Sequence, residues 1–342
     1  MARDNMPMRI RRPNRAASAI WAIAISAVVA GCGSAPTDTP FSADVTGTST
    51  PEPTATGTPA TSAAASGPVA ESQTPGSGLP DFSHVYVIIM ENKSYRSIVG
   101  AGNAPYLNSL IARYGLATNL DAETHPSEPN YIALVSGGLQ GTTLDLTYNL
   151  KAPSLFDQIE TAGRTWHVYA QSYPGNCYKA SSASGFADGP GSVGDYARKH
   201  NPAISFVSIS ANATRCANIT RLTGFNPAAA DFEMIIPNLI NDMHSSSTRA
   251  GDNFLKAFVP KITSSPAFAN SLLIITWDEG AESDKAGGGG HIATIFASPG
   301  MKPGSKFTGA ATHYSILRTI ELAWGLPLLG DAAKASSIEL PY

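Results

Sequence analysis

The sequence is poor in net charge of either sign. Its 342 residues carry 23 Lys and Arg against 26 Asp and Glu, which gives a formal net charge of −3. A chain with this balance has no basic field with which to hold a polyanion. We therefore expect no nucleic acid among its partners.

The apolar run near the N-terminus is too short to be a comfortable membrane span. Residues 1–15 are basic and residues 16–30 are apolar without a charge, which is the arrangement of a secretion signal. The run ends in Val29-Ala30-Gly31-Cys32, which resembles a bacterial lipobox. We expect residues 1–32 to be a lipoprotein signal in which Cys32 is lipidated. An ordinary signal peptide or a short anchor is the alternative.

Large apolar residues are almost absent from residues 33–80, where Ser, Thr, Pro, Ala and Gly dominate. Such a segment cannot offset its own ordering entropy, so we expect a disordered tether. Residues 81–342 remain for one folded domain, whose size suits a single large α/β unit.

Cysteine is scarce, with three in the chain. Besides Cys32, Cys177 and Cys216 lie in two polar segments that look like excursions from the core. Two cysteines in an exported domain usually pair, so we expect a Cys177–Cys216 disulfide. Two free thiols are the alternative.

Short apolar runs alternate with helical patterns along the domain. The predicted strands are residues 85–90, 165–170, 232–236, 271–277 and 292–297, and the predicted helices are residues 104–114, 129–136, 154–162, 251–262 and 313–324. This alternation predicts an α/β fold, a three-layer α/β/α sandwich with a mostly parallel central sheet. Ligands of such sheets bind beyond the carboxyl ends of the strands.

Two predicted strands end in pairs of oxygen ligands, Glu91-Asn92 and Asp278-Glu279. Three carboxylates at one edge of a sheet would repel one another unless a cation lies between them. Oxygen ligation favours Ca²⁺, Mg²⁺ or Mn²⁺ over Zn²⁺. We therefore expect one divalent cation here, and solvated loop starts are the alternative.

Ser127 stands at the head of a predicted helix, in His125-Pro126-Ser127-Glu128-Pro129-Asn130-Tyr131. Backbone N–H groups at a helix N-terminus favour a phosphate group. A serine at that point, beside a divalent cation, is suited to attack phosphorus. A plain N-cap serine is the alternative on local sequence alone.

Several motifs in order resemble the bacterial phosphoesterase family, which joins secreted acid phosphatases with phospholipases C inside the alkaline phosphatase superfamily. They are residues 90–92, 125–131, 199–202, 237–244, 277–280, 290–294 and 313–321. The resemblance covers residues 84–326 and implies an alkaline phosphatase-like fold.

The resemblance also implies roles for individual residues. Glu91, Asn92, Asp278 and Glu279 bind the metal, and Ser127 is both a metal ligand and the nucleophile that forms a phosphoserine. Asn130 donates to a phosphate oxygen. His200 and His244 line the phosphate pocket, and one of them protonates the leaving oxygen.

Two further histidines are candidates for the substrate pocket. His125 is expected to line the site or to shape its loop, and His291 is expected to support the residues that contact the substrate. His313 is expected to cap or pack at its helix start, and His84 and His167 are expected to be structural.

The implied function is an exported acid phosphatase that hydrolyses phosphate monoesters, either lipid-anchored to the cell membrane or secreted. Ser127 and the short segment 280–290 favour it over a phospholipase C, which tends to have threonine as the nucleophile and a longer segment there. The phospholipase C acting on phospholipids or phosphoinositides is the first alternative. A surface binding lipoprotein with a degenerate site is the second.

Overall fold

The computed structural model describes residues 78–183 and 195–340 of the chain. The predicted signal peptide, the lipobox with Cys32 and nearly all of the predicted tether lie outside the described residues. In the part of the chain that is described, none of the helices has the length and apolar character needed to cross a bilayer. The predicted division at residues 32 and 80 stays a prediction.

A central sheet of eight strands organises the described residues. In chain order the strands are β1 (His84–Met90), β2 (Gly115–Asp121), β3 (Trp166–Ala170), β4 (Ser182–Ala183), β5 (Tyr196–Ala197), β6 (Ile219–Arg221), β7 (Phe232–Ile236), β8 (Ser271–Trp277), β9 (His291–Ala297) and β10 (Ser305–Phe307). The sheet order is β10-β2-β9-β8-β1-β7-β3-β6, and β4 and β5 form a separate two-stranded ribbon. Within the sheet β9 alone runs antiparallel to its neighbours, so the predicted mostly parallel sheet is confirmed.

Helices cover both faces of this sheet. In the described part of the chain they are α1 (Pro105–Arg113), α2 (Ser127–Ser136), α3 (Leu155–Thr161), α4 (Val207–Ser210), α5 (Ala213–Cys216), α6 (Thr248–Thr263) and α7 (His313–Ala323). α1 packs against α6, whereas α2 packs against α7 and α3. The predicted three-layer α/β/α sandwich is confirmed.

The central strands are buried along their whole length because both faces are covered. Every residue of β8 is buried, and so are six of the seven residues of β1. Strands of this kind read as continuous apolar runs rather than as an alternation of apolar and polar residues. This is why the two runs that end in acidic pairs were easy to recognise.

Three strands of the central sheet, and both strands of the two-stranded ribbon, were not predicted from the sequence. β6 and β10 have three residues each, too few for a period to show. In β2 the ladder with β9 is interrupted between Ala117 and Leu120, where polar Thr118 and Asn119 break the alternation. A bulge of this kind removes the pattern on which strand prediction depends.

Two local features constrain the chain, one at the end of α2 and one between two separate segments. α2 stops at Gly137, whose φ of 66° is left-handed, and a Cβ there would lie 2.0 Å from the carbonyl oxygen of Leu329. Only glycine fits such a close approach. Cys177 and Cys216 form the expected disulfide, which ties the segment after β3 to α5.

Candidate active site

The two predicted acidic pairs meet at one edge of the sheet. β1 and β8 are parallel neighbours in a register that sets Met90 opposite Trp277, so Glu91 and Asp278 follow at the same level. The backbone N–H of Asn92 donates to Oδ1 of Asp278 at 3.0 Å. The structure therefore brings the two pairs together beyond the carboxyl ends of the strands, where ligands of such sheets bind.

Ser127 lies between the two pairs. It is the first residue of α2, and Pro126 occupies the N-cap position, so Ser127 is not a plain N-cap serine. Its Oγ lies 3.2 Å from Oε2 of Glu91 and 3.2 Å from Oε1 of Glu279. The hydroxyl thus joins the end of one strand to the end of the other.

His200 adds an imidazole to this cluster from the other side of Glu91. Its Nε2 is 2.9 Å from Oε1 of Glu91, and its Nδ1 is 3.4 Å from Oδ2 of Asp242. Tyr131 donates to Oε1 of Glu91 at 2.5 Å and stacks on the His200 ring. All four side chains are buried, so the orientation of His200 is fixed by its neighbours.

His244 lies next to His200 but is more accessible. Its ring centroid is 5.7 Å from that of His200, and its backbone N–H donates to Oδ1 of Asp242 at 2.7 Å. Burial is the main cause that lowers the pKa of His244 to about 4, and the nearby His200 ring and the Lys199 and Lys93 ammonium groups add to it. A bound phosphate dianion would oppose these cations and favour the protonated ring.

If all four carboxyl groups at this edge were ionised, they would hold more negative charge than the surrounding side chains compensate, and their burial disfavours that state. Burial raises the pKa of Glu91, Asp242 and Glu279 to about 7. The pKa of Asp278 rises well above its usual range because of burial and then repulsion from Glu91. Oδ2 of Asp278 is buried and has no hydrogen-bond partner among the described residues.

This excess of negative charge fits a divalent cation. The predicted ligand set is Glu91, Asn92, Ser127, Asp278 and Glu279. A second set consists of Glu91, His200 and Asp242, whose ligand atoms lie within 4.8 Å of one another. Both sets contain Glu91, so they adjoin each other. Carboxylate and amide oxygens predominate in them, and the unpartnered oxygen of Asp278 is available to a cation.

Three residues that were predicted to contact substrate use their polar atoms within the protein. Oδ1 of Asn130 accepts from the N–H groups of Glu123 and Thr124, and its Nδ2 donates to two carbonyls of the same loop. His291 stacks on Tyr95, and its Nε2 lies 3.1 Å from the carbonyl oxygen of Thr118. Substrate binding by Asn130 and His291 stays a prediction.

His125, the third of these residues, orients the loop that carries Glu279. Its Nδ1 lies 2.5 Å from Oε2 of Glu279, and its Nε2 lies 2.8 Å from the carbonyl oxygen of Asp284. Of the two roles expected for His125, this geometry favours the shaping of the loop.

Some contacts of the site were not predicted from the sequence. Asp242 lies inside the motif at residues 237–244, which was the signal that was available for it. His313 is buried and contacts Glu123 at 2.5 Å and the carbonyl oxygen of Trp277 at 2.8 Å. It therefore steadies the strand end that precedes Asp278, in addition to the expected packing at its helix start.

Sequence comparison shows which known proteins this chain is similar to. Residues 101–327 match the model of the Phosphoesterase family. A phosphatidylinositol-3-phosphatase from Mycobacterium tuberculosis is 33% identical over 264 residues, which are 77% of this chain and 83% of the relative. An acid phosphatase from Aspergillus fumigatus is 29% identical over 257 residues, 73% of this chain and 56% of the relative.

The chain thus spans little more than half the length of that fungal enzyme. Among solved structures, a protein of the alkaline phosphatase superfamily from Vibrio parahaemolyticus superposes with a TM-score of 0.52 at 12% identity. The superposition covers 77% of this chain and 72% of the other. An identity this low supports the similarity of the fold alone.

Proposed function

Because the chain belongs to the Phosphoesterase family, we propose that it hydrolyses phosphate monoesters with Ser127 as the nucleophile. The membership confirms the predicted family and the predicted enzyme class, a phosphoric monoester hydrolase. The observation that carries the proposal is the position of the Ser127 hydroxyl, 3.2 Å from a carboxylate of each strand-end pair.

In the proposed reaction Oγ of Ser127 attacks phosphorus, the ester oxygen leaves, and water later releases phosphate from the phosphoserine. Glu91, Asn92, Asp278 and Glu279 would hold a divalent cation. That cation would offset the carboxylate charge and favour the ionised serine. The Ser127 hydroxyl donates its one proton to Glu91 or to Glu279, each at 3.2 Å, and this contact orients Oγ before the attack.

We assign general acid catalysis to the His200–His244 pair. His200 is held between Glu91 and Asp242, whereas His244 is half-buried and less constrained. The more accessible His244 is the member that we expect to reach the leaving oxygen. The negative charge of the bound phosphate would raise its pKa into the range in which an imidazolium can donate.

A monoester substrate is favoured over a phosphodiester. The name of the Mycobacterium tuberculosis relative describes a phosphatase that acts on a phosphorylated inositol lipid, and the fungal relative is named an acid phosphatase. Both relatives are named as phosphatases. A panel of soluble monoesters, phosphoinositides and phospholipids, with and without a chelator, would test this choice against a phospholipase C.

We propose that the enzyme acts outside the cytoplasm, anchored through Cys32 or released. The Cys177–Cys216 disulfide suits an oxidising compartment. Mass spectrometry of the N-terminal peptide from a bacterial host tests the anchor. A lipid-modified Cys32 is the expected result, and an unmodified N-terminus would contradict it.

The decisive variant is Ser127→Ala, with Ser136→Ala in the same helix as the matched control. Ser136 is buried, and its hydroxyl bonds to the carbonyl oxygen of Ile132. We expect hydrolysis of p-nitrophenyl phosphate to fall at least about 10³-fold in the first variant and to persist in the second. Acid-quenched wild-type enzyme should carry a phosphoryl group on the Ser127 peptide. Turnover that survives Ser127→Ala would refute the proposal.

A further inference from the structure

One carboxylate near the nucleophile belongs to neither predicted ligand pair. Asp145 lies in the loop between α2 and α3, and its side chain is 27% exposed. Its Oδ1 accepts from the backbone N–H of Glu128 at 2.9 Å, and its Oδ2 accepts from Nζ of Lys199 at 2.6 Å. Its two oxygens are therefore bound by donors from two separate elements.

Both donors adjoin the reaction centre. Glu128 follows Ser127 in the first turn of α2. Lys199 precedes His200, and its charge acts on the carboxylates of Glu91 and Asp278. These are groups that a phosphate held at Ser127 would approach.

Few backbone donors are present at the start of α2. An α-helix leaves its first N–H groups without partners inside the helix. In this helix the third residue is Pro129, which has no N–H. The first turn therefore offers the N–H groups of Ser127 and Glu128, and Asp145 already accepts from the second.

The chemistry of this arrangement is that of phosphate binding. Phosphate oxygens accept from N–H groups at helix N-termini and from lysine ammonium groups. The Asp145 carboxylate satisfies one donor of each kind with one negative charge.

We propose that Asp145 lowers the affinity of the site for phosphate by competing with the substrate phosphate for the Glu128 N–H and the Lys199 ammonium. This inference rests on the proposed function and deepens it. When phosphate binds at Ser127, the loop with Asp145 moves aside. When phosphate has been released, the carboxylate returns to its two donors. Asp145 thereby weakens the binding of inorganic phosphate and limits inhibition by the product.

The loop is suited to such a movement because little apolar burial holds it. The side chains on either side of Asp145, Leu144 and Leu146, are each 55% exposed. Hydrogen bonds hold the segment instead, including one from the N–H of Leu146 to Oε2 of Glu128 at 3.0 Å. Such bonds can be exchanged for bonds to water when the loop moves.

The test is the affinity for inorganic phosphate of wild-type protein and of Asp145→Asn, measured by titration calorimetry at saturating Mg²⁺, with Ca²⁺ and Mn²⁺ in parallel. The substitution removes the charge and preserves the shape of the side chain. We expect the Kd for phosphate to fall about tenfold in the variant, the effect of removing one like charge from the neighbourhood of a bound anion. The KM of Asp145→Asn for p-nitrophenyl phosphate should also be lower than that of the wild type.

A positioning role for Asp145 predicts the opposite sign. If Asp145 only holds Lys199 in place for the substrate, Asp145→Asn will bind phosphate more weakly. Weaker binding, equal binding, or no binding by either protein overturns the proposal. Because calorimetry needs no turnover, a wild-type protein without phosphatase activity would refute the proposed function and still leave the competition measurable.

Two further variants test whether the effect on phosphate binding comes from charges at this site or from any change in the charge of the protein. Lys199→Gln should weaken phosphate binding about tenfold, and Asp145→Asn should gain less in that background. Asp331→Asn is the matched control, because Asp331 also pairs with a lysine, Lys334, at 3.0 Å. The N–H of Asp331 donates to the carbonyl oxygen of Gly137 at the far end of α2. The Kd of the Asp331→Asn variant for phosphate should therefore equal that of the wild type. No effect of Lys199→Gln, or an equal effect of the control, contradicts the proposal.

Discussion

Two groups of buried carboxyl groups in this protein differ in their surroundings. The first, which we call the rim cluster, consists of Glu91, Asp242, Asp278 and Glu279. Its members share partners, since the Ser127 hydroxyl lies between Glu91 and Glu279. They also repel one another, as Glu91 repels Asp278. In the rim cluster the carboxyl groups are concentrated around the hydroxyl that we propose as the nucleophile.

The second group consists of Glu233 and Glu321, which are fully buried but lie apart from the rim cluster. Oε1 of Glu233 accepts from the N–H of Ala230 at 3.3 Å, and Oε1 of Glu321 accepts from the N–H of Leu329 at 2.9 Å. The second oxygen of each has no hydrogen-bond partner among the described residues. Each can remain in the folded protein by keeping its proton.

A raised pKa does not distinguish the two groups. Burial raises the pKa of Glu233 and Glu321 to about 8, compared with about 7 for Glu91 and Glu279. The difference lies in geometry, because only the rim cluster surrounds a serine and an imidazole. A perturbed carboxyl group therefore indicates a site only when a reactive partner lies within reach.

The largest effect should come from Asp278→Asn in the rim cluster. The substitution preserves the shape of the side chain and removes a charge that a divalent cation would need. We expect the rate of p-nitrophenyl phosphate hydrolysis to fall on the order of 10³-fold. Glu321→Gln, measured in the same assay, should change the rate less than about twofold. Equal losses in the two variants would remove the distinction between the groups.

Thermal unfolding with an added divalent cation should separate the groups further. A cation that binds only the folded state at about 100 times its Kd adds about 2.7 kcal/mol to the free energy of unfolding. Wild-type protein and Glu321→Gln should both gain this stability, whereas Asp278→Asn should gain little. A wild-type protein whose melting temperature ignores Mg²⁺, Ca²⁺ and Mn²⁺ would contradict a metal centre in the rim cluster.

The sequence could reveal those parts of the site that depend on residues close together in the chain. The Glu91 and Asp278 pairs were predictable because each directly follows an apolar strand, and parallel strands present their ends at one edge. Ser127 was predictable as the head of a helix, although local sequence alone could not separate a nucleophile from an N-cap.

Other parts of the site depend on contacts between distant residues. Asp145 meets donors 17 and 54 residues away. The amide of Asn130 bonds to residues 123 and 124 of the preceding loop, and its predicted contact with the phosphate stays a prediction. No periodicity or spacing encodes such contacts, because they form only after the loops pack against the sheet. Strands were missed for a related reason, since β6 and β10 are too short to show a pattern.

The smallest effect should come from Glu321→Gln, through the pH dependence of stability. In the unfolded chain Glu321 has its ordinary pKa of 4.5, and burial raises its pKa in the folded protein to about 8. Below the lower pKa the side chain is neutral in both states and contributes no difference. As the pH rises between the two values, the unfolded chain loses the proton more readily, so the folded state becomes relatively less stable.

Glutamine has no proton to lose, and the advantage of Glu321→Gln over wild type should grow across this window to about 1–2 kcal/mol at pH 9. Urea titrations at pH 5 and pH 9 measure it, and an advantage that is equal at both pH values would show that Glu321 is not held neutral by burial.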